Sequence, residues 1–133
     1  MSAVRTIAAS TILLLSGPAI AQVPGMVPAQ RIEIDLSSFK IEPASITLRH
    51  GQAYVLHIVN KARGGHDFVA RTFFAAAVVT PTDRALVSEG SVELAGGQAT
   101  DVHLIAPAAG TSQVRCSHFM HSALGMKGTV IVQ

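Results

Sequence analysis

The sequence predicts an all-β fold: a Greek-key β-sandwich with a short helical insertion around residues 72–90. Three observations predict it. Short strand-like segments follow one another from residue 32 to the C terminus, Gly and Pro punctuate them, and a single stretch breaks the rhythm. At 133 residues the chain holds one domain with a real core and is too short for two ordinary ones.

The elements follow in order. Ile32, Ile34 and Leu36 alternate with Glu33 and Asp35, the period-two pattern of a half-buried strand. Glu42-Pro43-Ala44 interrupts, and Ile46-Thr47-Leu48 resumes. His50-Gly51 makes a turn before Tyr54 to Val59, a longer apolar run suited to a central strand. Lys61 to Gly65 reads as a loop and His66 to Ala70 as a further strand. Phe73 to Ala77 and Asp83 to Val87 read as helical turns around Pro81. Strand signals return in Val92 to Leu94, Ala99 to Ile105, Thr111 to Cys116 and Gly128 to Val132, separated by Gly96-Gly97 and Pro107-Ala108-Ala109-Gly110.

The first 21 residues read as a cleavable secretory signal. Arg5 precedes an apolar stretch from Ile7 to Leu15, then Gly17-Pro18 and Ala19-Ile20-Ala21, so cleavage is expected after Ala21. The stretch is shorter than the roughly 20 residues of a membrane span. Residues 22–30, with Pro24, Gly25 and Pro28, read as a flexible linker, leaving 31–133 as the domain. The expected location is the periplasm.

Composition narrows the function classes. Ten Lys and Arg, Arg5 among them, face eight Asp and Glu, so the mature chain is close to neutral. Its basic residues are scattered and Trp is absent, which removes nucleic-acid binding. A single cysteine in a chain read as exported makes no internal disulfide; it is a free thiol, an intermolecular link or a metal ligand, and a metal-bound thiolate is protected from oxidation.

That cysteine lies in the most informative segment. Cys116, His121 and Met126 are evenly spaced, with four residues between each pair. Thiolate, imidazole and thioether form a soft ligand set that favours copper over magnesium or calcium. A trigonal site needs a second imidazole from elsewhere, and Gly64-Gly65-His66-Asp67-Phe68 supplies one. His118 competes with His121, but it sits only two residues after Cys116, which leaves little room for a loop to fold over a metal. Met120 and His118 read as loop surface or packing, with a weak auxiliary Cu(I) site as the alternative. His50, His57 and His103 read as structural residues, and Phe73 and Phe74 as core.

The segment Cys-Ser-His-Phe-Met-His-Ser-Ala-Leu-Gly-Met-Lys-Gly-Thr-Val-Ile-Val, Cys116 to Val132, resembles the ligand loop of the plastocyanin/azurin (cupredoxin) family. Asn60 to Phe68 resembles the family's first-histidine loop, and general similarity spans about residues 31–133. The resemblance implies a cupredoxin-like sandwich binding one copper ion, Cu(I)/Cu(II). Its ligands would be His66, Cys116 and His121 in a plane, with Met126 as a weak axial ligand. It also implies that Gly65 offers a backbone carbonyl near the metal. Asp67 stands where the family often has asparagine, and should add a negative charge that favours Cu(II). Cysteine-to-histidine spacing is azurin-like, whereas the four residues between His121 and Met126 follow plastocyanin.

The function implied is that of a type 1 (blue) copper protein carrying single electrons between redox partners by outer-sphere transfer. It would act as a monomer, meeting a transient partner at an apolar patch of Leu124, Phe119 or Met120. The alternative is a periplasmic copper-binding protein for storage, delivery or tolerance, engaging Cu(I) through His118, Met120 and Met126. An enzyme is not expected. Multicopper oxidases flank this cysteine with histidines, where Arg115 and Ser117 stand here, and a binuclear copper site needs two cysteines.

Overall fold

The computed structural model describes residues 28–133. Its strands are β1 (Gln30–Ser37), β2 (Lys40–Glu42), β3 (Ser45–Leu48), β4 (Ala53–Asn60), β5 (His66–Val69), β6 (Val78–Val79), β7 (Ser91–Leu94), β8 (Ala99–Ile105), β9 (Gly110–Arg115) and β10 (Lys127–Val132). One helix, α1 (Arg71–Ala76), and a 3₁₀ turn at Arg84–Leu86 lie between β5 and β7. The strands form two five-stranded sheets, in the orders β2-β1-β4-β8-β6 and β3-β10-β9-β5-β7. Chain neighbours such as β3 and β4, or β4 and β5, belong to different sheets, so the chain crosses repeatedly between layers. β1 runs parallel to β4, and β10 parallel to β3, while the remaining pairs are antiparallel.

Side-chain alternation builds the core. In β1, Ile34 and Leu36 point inward; in β4, Tyr54, Leu56 and Ile58 do, and in β8, Val102 and Leu104. From the facing sheet come Ile46, Leu48, Phe68, Val92, Val114 and Val130. Each such side chain removed from water contributes about 1.5–3 kcal/mol before ordering costs. β4 is the third of five strands in its sheet, the central place its apolar run indicated.

The expected helical insertion is present, as α1 and the 3₁₀ turn, with β6 between them. Its six-residue helix buries Phe73 and Phe74 against the core, which is what retains a helix with no side-chain cap. Two strands escaped the sequence reading. β6 is two residues long and β2 three, with Ile41 the one buried residue of β2, so neither is long enough for a period-two signal. β1 begins at Gln30, inside the segment read as linker, because Gln30 pairs with Tyr54. The expected signal, residues 1–21, lies outside the described residues.

One end of the sandwich gathers the features needed for a site. The end of β4, the start of β5, the end of β9 and the start of β10 meet there. The two-residue tip of the β1–β2 hairpin, Ser38-Phe39, joins them, with Phe39 in the left-handed region at φ 62°.

Candidate metal centre

The β9–β10 pairing places two of the expected ligands side by side. Arg115 pairs with Lys127, and one step further the Cys116 amide donates to the Met126 carbonyl at 3.1 Å. Residues 117–125 therefore form the loop of a hairpin whose ends are fixed. Successive amides of the loop bond back within it: His121 to His118, Leu124 to Met120, and Met126 to His121 at 3.0 Å. Gly125 adopts φ 109°, which a side chain would oppose, and this lets the loop turn back into β10.

His66 arrives from the opposite direction on β5, paired with Leu94. Its loop is tied down by Asn60, which the sequence reading did not single out. The Asn60 side-chain amide donates to the carbonyls of Gly64 (2.8 Å), Leu94 (3.0 Å) and Ala95 (3.1 Å). Its Oδ1 accepts the Ala62 amide at 3.0 Å. The signal was available: Asn60 continues the inward phase of Tyr54, Leu56 and Ile58, and a fully buried polar residue on a core face needs partners. Gly96 packs against the same loop, where an added Cβ would stand 2.0 Å from the Arg63 carbonyl oxygen.

Three donor atoms converge. Cys116 Sγ lies 3.4 Å from His121 Nδ1 and 3.7 Å from His66 Nδ1, and the two ring nitrogens are 3.1 Å apart. A point equidistant from all three lies about 2.0 Å from each, close to the lengths of metal–imidazole (about 2.0–2.1 Å) and metal–thiolate (about 2.3 Å) bonds for an ion such as zinc. Met126 is fully buried beside them. One thiolate, two imidazoles and a thioether fit copper in both oxidation states.

The local electrostatics suit a neutral imidazole at His66. Burial, with the neighbouring His121 and His118, holds the His66 pKa below its ordinary value. Burial pushes the Cys116 thiol up, so the sulfur keeps its proton until a bound cation displaces it. Burial opposes the charge on Asp67, but hydrogen bonds from the Ser117 hydroxyl and amide outweigh it and hold the carboxyl below its ordinary range. Its Oδ1 accepts the Ser117 N–H at 2.6 Å and its Oδ2 accepts the Ser117 hydroxyl and, at 3.3 Å, that of Ser91. Asp67 thus ties the first-histidine strand to the cysteine loop, and no asparagine is needed for that.

His121 is only half-buried and is held on two sides. The Phe39 ring meets it edge-on, centroids 5.3 Å apart, and the His118 ring stacks on it at 5.5 Å and 19°. His118 is fixed in turn by Glu93, with Nε2 2.9 Å from Oε1. Neither Phe39 nor Glu93 carried a sequence signal, since one sits in a hairpin tip and the other is an outward residue of β7. His118 is therefore directed at a carboxylate. His50, His57 and His103 lie outside the centre, with their ring nitrogens on the Pro107 carbonyl, Asp101 and Asp83.

Comparison with known proteins agrees with this geometry. Residues 29–133 match the family model of copper binding proteins, plastocyanin/azurin family. The chain belongs to that family. Its cofactor is one copper ion, and the donor set described above fits it. No curated protein matches the sequence significantly. Among solved structures, the fold is similar to sodium-dithionite-reduced auracyanin from the photosynthetic bacterium Roseiflexus castenholzii. Identity there is 22%, 79% of this chain and 98% of that chain are covered, and the TM-score is 0.58. Auracyanin A, a "blue" copper protein from Chloroflexus aurantiacus, is similar at 17% identity, covering 77% and 99% of the two chains, with a TM-score of 0.53. A multicopper oxidase from Campylobacter jejuni is similar over 84% of this chain and 31% of that chain, at 13% identity and a TM-score of 0.60. These likenesses establish the cupredoxin-like β-sandwich.

Proposed function

We propose that this protein is a periplasmic type 1 copper protein that carries single electrons, with His66, Cys116, His121 and Met126 as its ligands. The observation that carries the reading is the closed donor triangle, buried at His66 and Cys116, with buried Met126 beside it, and half-open at His121. Bound copper would supply a one-electron couple. The protein's own residues do the rest. The strands hold the Nδ1 atoms of His66 and His121 and the Cys116 sulfur at spacings that serve both oxidation states, so little rearrangement accompanies transfer. The buried Met126 and Cys116 exclude water. His121 offers a ring edge to the surface, where Phe119 (90% exposed), Leu124 and Met120 form an apolar patch for brief contact with a partner.

The same geometry argues against copper handling and against an enzyme. Delivery through His118 and Met120 would need a free imidazole, and His118 is engaged by Glu93. With four protein donors the centre offers no open position for a substrate. Among the described residues no helix is long and apolar enough to cross a membrane. The test is the copper-loaded protein beside Cys116→Ser. An intense thiolate-to-copper band with reversible one-electron voltammetry, both lost in the variant, supports the carrier. Copper that passes readily to a chelator, without that band, sinks it.

A further inference from the structure

The metal end is asymmetric in charge. On one side of His121, Lys61 and Arg63 line a cleft of about 490 Å³ whose walls include Phe39, Gly65 and His121 itself. Beyond Phe39, Lys40 and Lys127 line a second groove, with Glu42 and Gly125 between them. All four cations are exposed. Lys61 is paired with Asp35 at 2.5 Å, but Lys40, Arg63 and Lys127 take part in no salt bridge among the described residues. Elsewhere carboxylates are mostly spoken for: Glu33 and Asp101 by Arg31, Asp83 by His103, and Glu93 by His118. The other arginines without a salt bridge among the described residues line neither of these two grooves. Arg71 and Arg115 line a groove on the face of the second sheet, and Arg49 sits at the opposite end, beside the last residues of β10.

We propose that this cationic crescent selects an acidic redox partner, a protein whose carboxylates surround its own electron-exchange edge. The proposal rests on the electron-carrier reading above. Three cations without a salt bridge, Lys40, Arg63 and Lys127, on one side of the His121 edge attract an anionic surface and fix its orientation, while Phe119 and Leu124 supply the apolar contact. A partner with a basic or neutral rim gains neither.

The test compares two one-electron oxidants of opposite charge acting on reduced, copper-loaded protein by stopped flow. One electron leaves the protein and reduces hexacyanoferrate(III) to hexacyanoferrate(II), or tris(phenanthroline)cobalt(III) to cobalt(II). At about 0.1 M salt the Debye length is about 10 Å, so charges beside His121 act and those across the sandwich are screened. The double variant K40E/R63E should slow the hexacyanoferrate reaction about fivefold or more and speed the cobalt reaction. The control variant R49E/R84E, in which Arg84 lines a separate pocket with Arg71 and Glu89, carries the same net-charge change and should alter each rate by less than about twofold. A changed reduction potential would move both rates in one direction and is thereby told apart. Equal effects of the two variants, with fast exchange in the parent protein, overturn the docking proposal alone. Slow exchange with both oxidants in the parent protein overturns the carrier reading and this proposal with it. Co-sedimentation with phosphatidylglycerol vesicles, lost in K40E/R63E, makes a lipid surface the occupant and overturns the assignment to a protein.

Discussion

Asp67 offers a quantitative handle on the centre. Its carboxylate is buried and bonded to Ser117, the residue after the cysteine ligand. Replacing it with asparagine removes one negative charge and retains an oxygen for the Ser117 amide. For a unit charge about 6 Å from the ion, in an effective dielectric of about 20, Coulomb's law gives about 3 kcal/mol. For a one-electron couple that is about 120 mV, reduced by whatever relaxation the buried site allows. The negative charge favours Cu(II), so its removal raises the potential. Asp67→Asn should therefore raise the midpoint, measured by protein-film voltammetry, by about 50–120 mV. The thiolate-to-copper band should be nearly unchanged, which separates a charge effect from a misfolded site. A shift below about 20 mV, or a downward one, would refute the claim that Asp67 acts on the centre through its charge.

Three other outcomes follow from the same geometry. Asn60→Ala should cost about 3 kcal/mol in urea unfolding of the apo-protein, because carbonyls of Gly64, Leu94 and Ala95 lose a buried donor together; a loss under about 1 kcal/mol contradicts this. Gly96→Ala forces the His66 loop away from β7 and should weaken copper affinity about tenfold or more, read by competition with a chelator, since its Cβ would overlap the Arg63 carbonyl. Stability of the apo-protein should also depend on acid. Asp67 binds its proton more weakly folded than unfolded, so its contribution is present at neutral pH and lost as pH falls through and below the ordinary carboxylate range. Urea midpoints between pH 7 and pH 3 should fall less steeply in Asp67→Asn, and identical slopes would count against the buried, charged carboxylate.

The sandwich was legible because its long strands alternate. Ile34 and Leu36, or Val102 and Leu104, announce both strand and inward face from residue type alone. β2 and β6 were not, because strands of three and two residues exist only through their neighbours: Val79 is a strand residue because Leu104 is opposite it. The donor set was legible for a different reason. Cys116, His121 and Met126 share one loop, and a lone cysteine in a chain read as exported demands a purpose. What holds the donors was mostly hidden. Phe39 and Glu93 reach His121 and His118 through a hairpin tip and a strand register, and neither distance is written in local sequence. Asn60 is the intermediate case, since its phase within β4 marks it as buried while its three carbonyl partners come from the His66 loop and the end of β7.

The account stands on a single ion held between one sulfur and two ring nitrogens, and X-ray absorption at the copper edge addresses that directly. The copper-loaded protein should show one sulfur scatterer at about 2.2–2.3 Å and two imidazole nitrogens near about 2.0 Å, with His66→Gly removing one of the imidazoles. A shell of nitrogen and oxygen alone, or a spectrum that His66→Gly leaves unchanged, would contradict it.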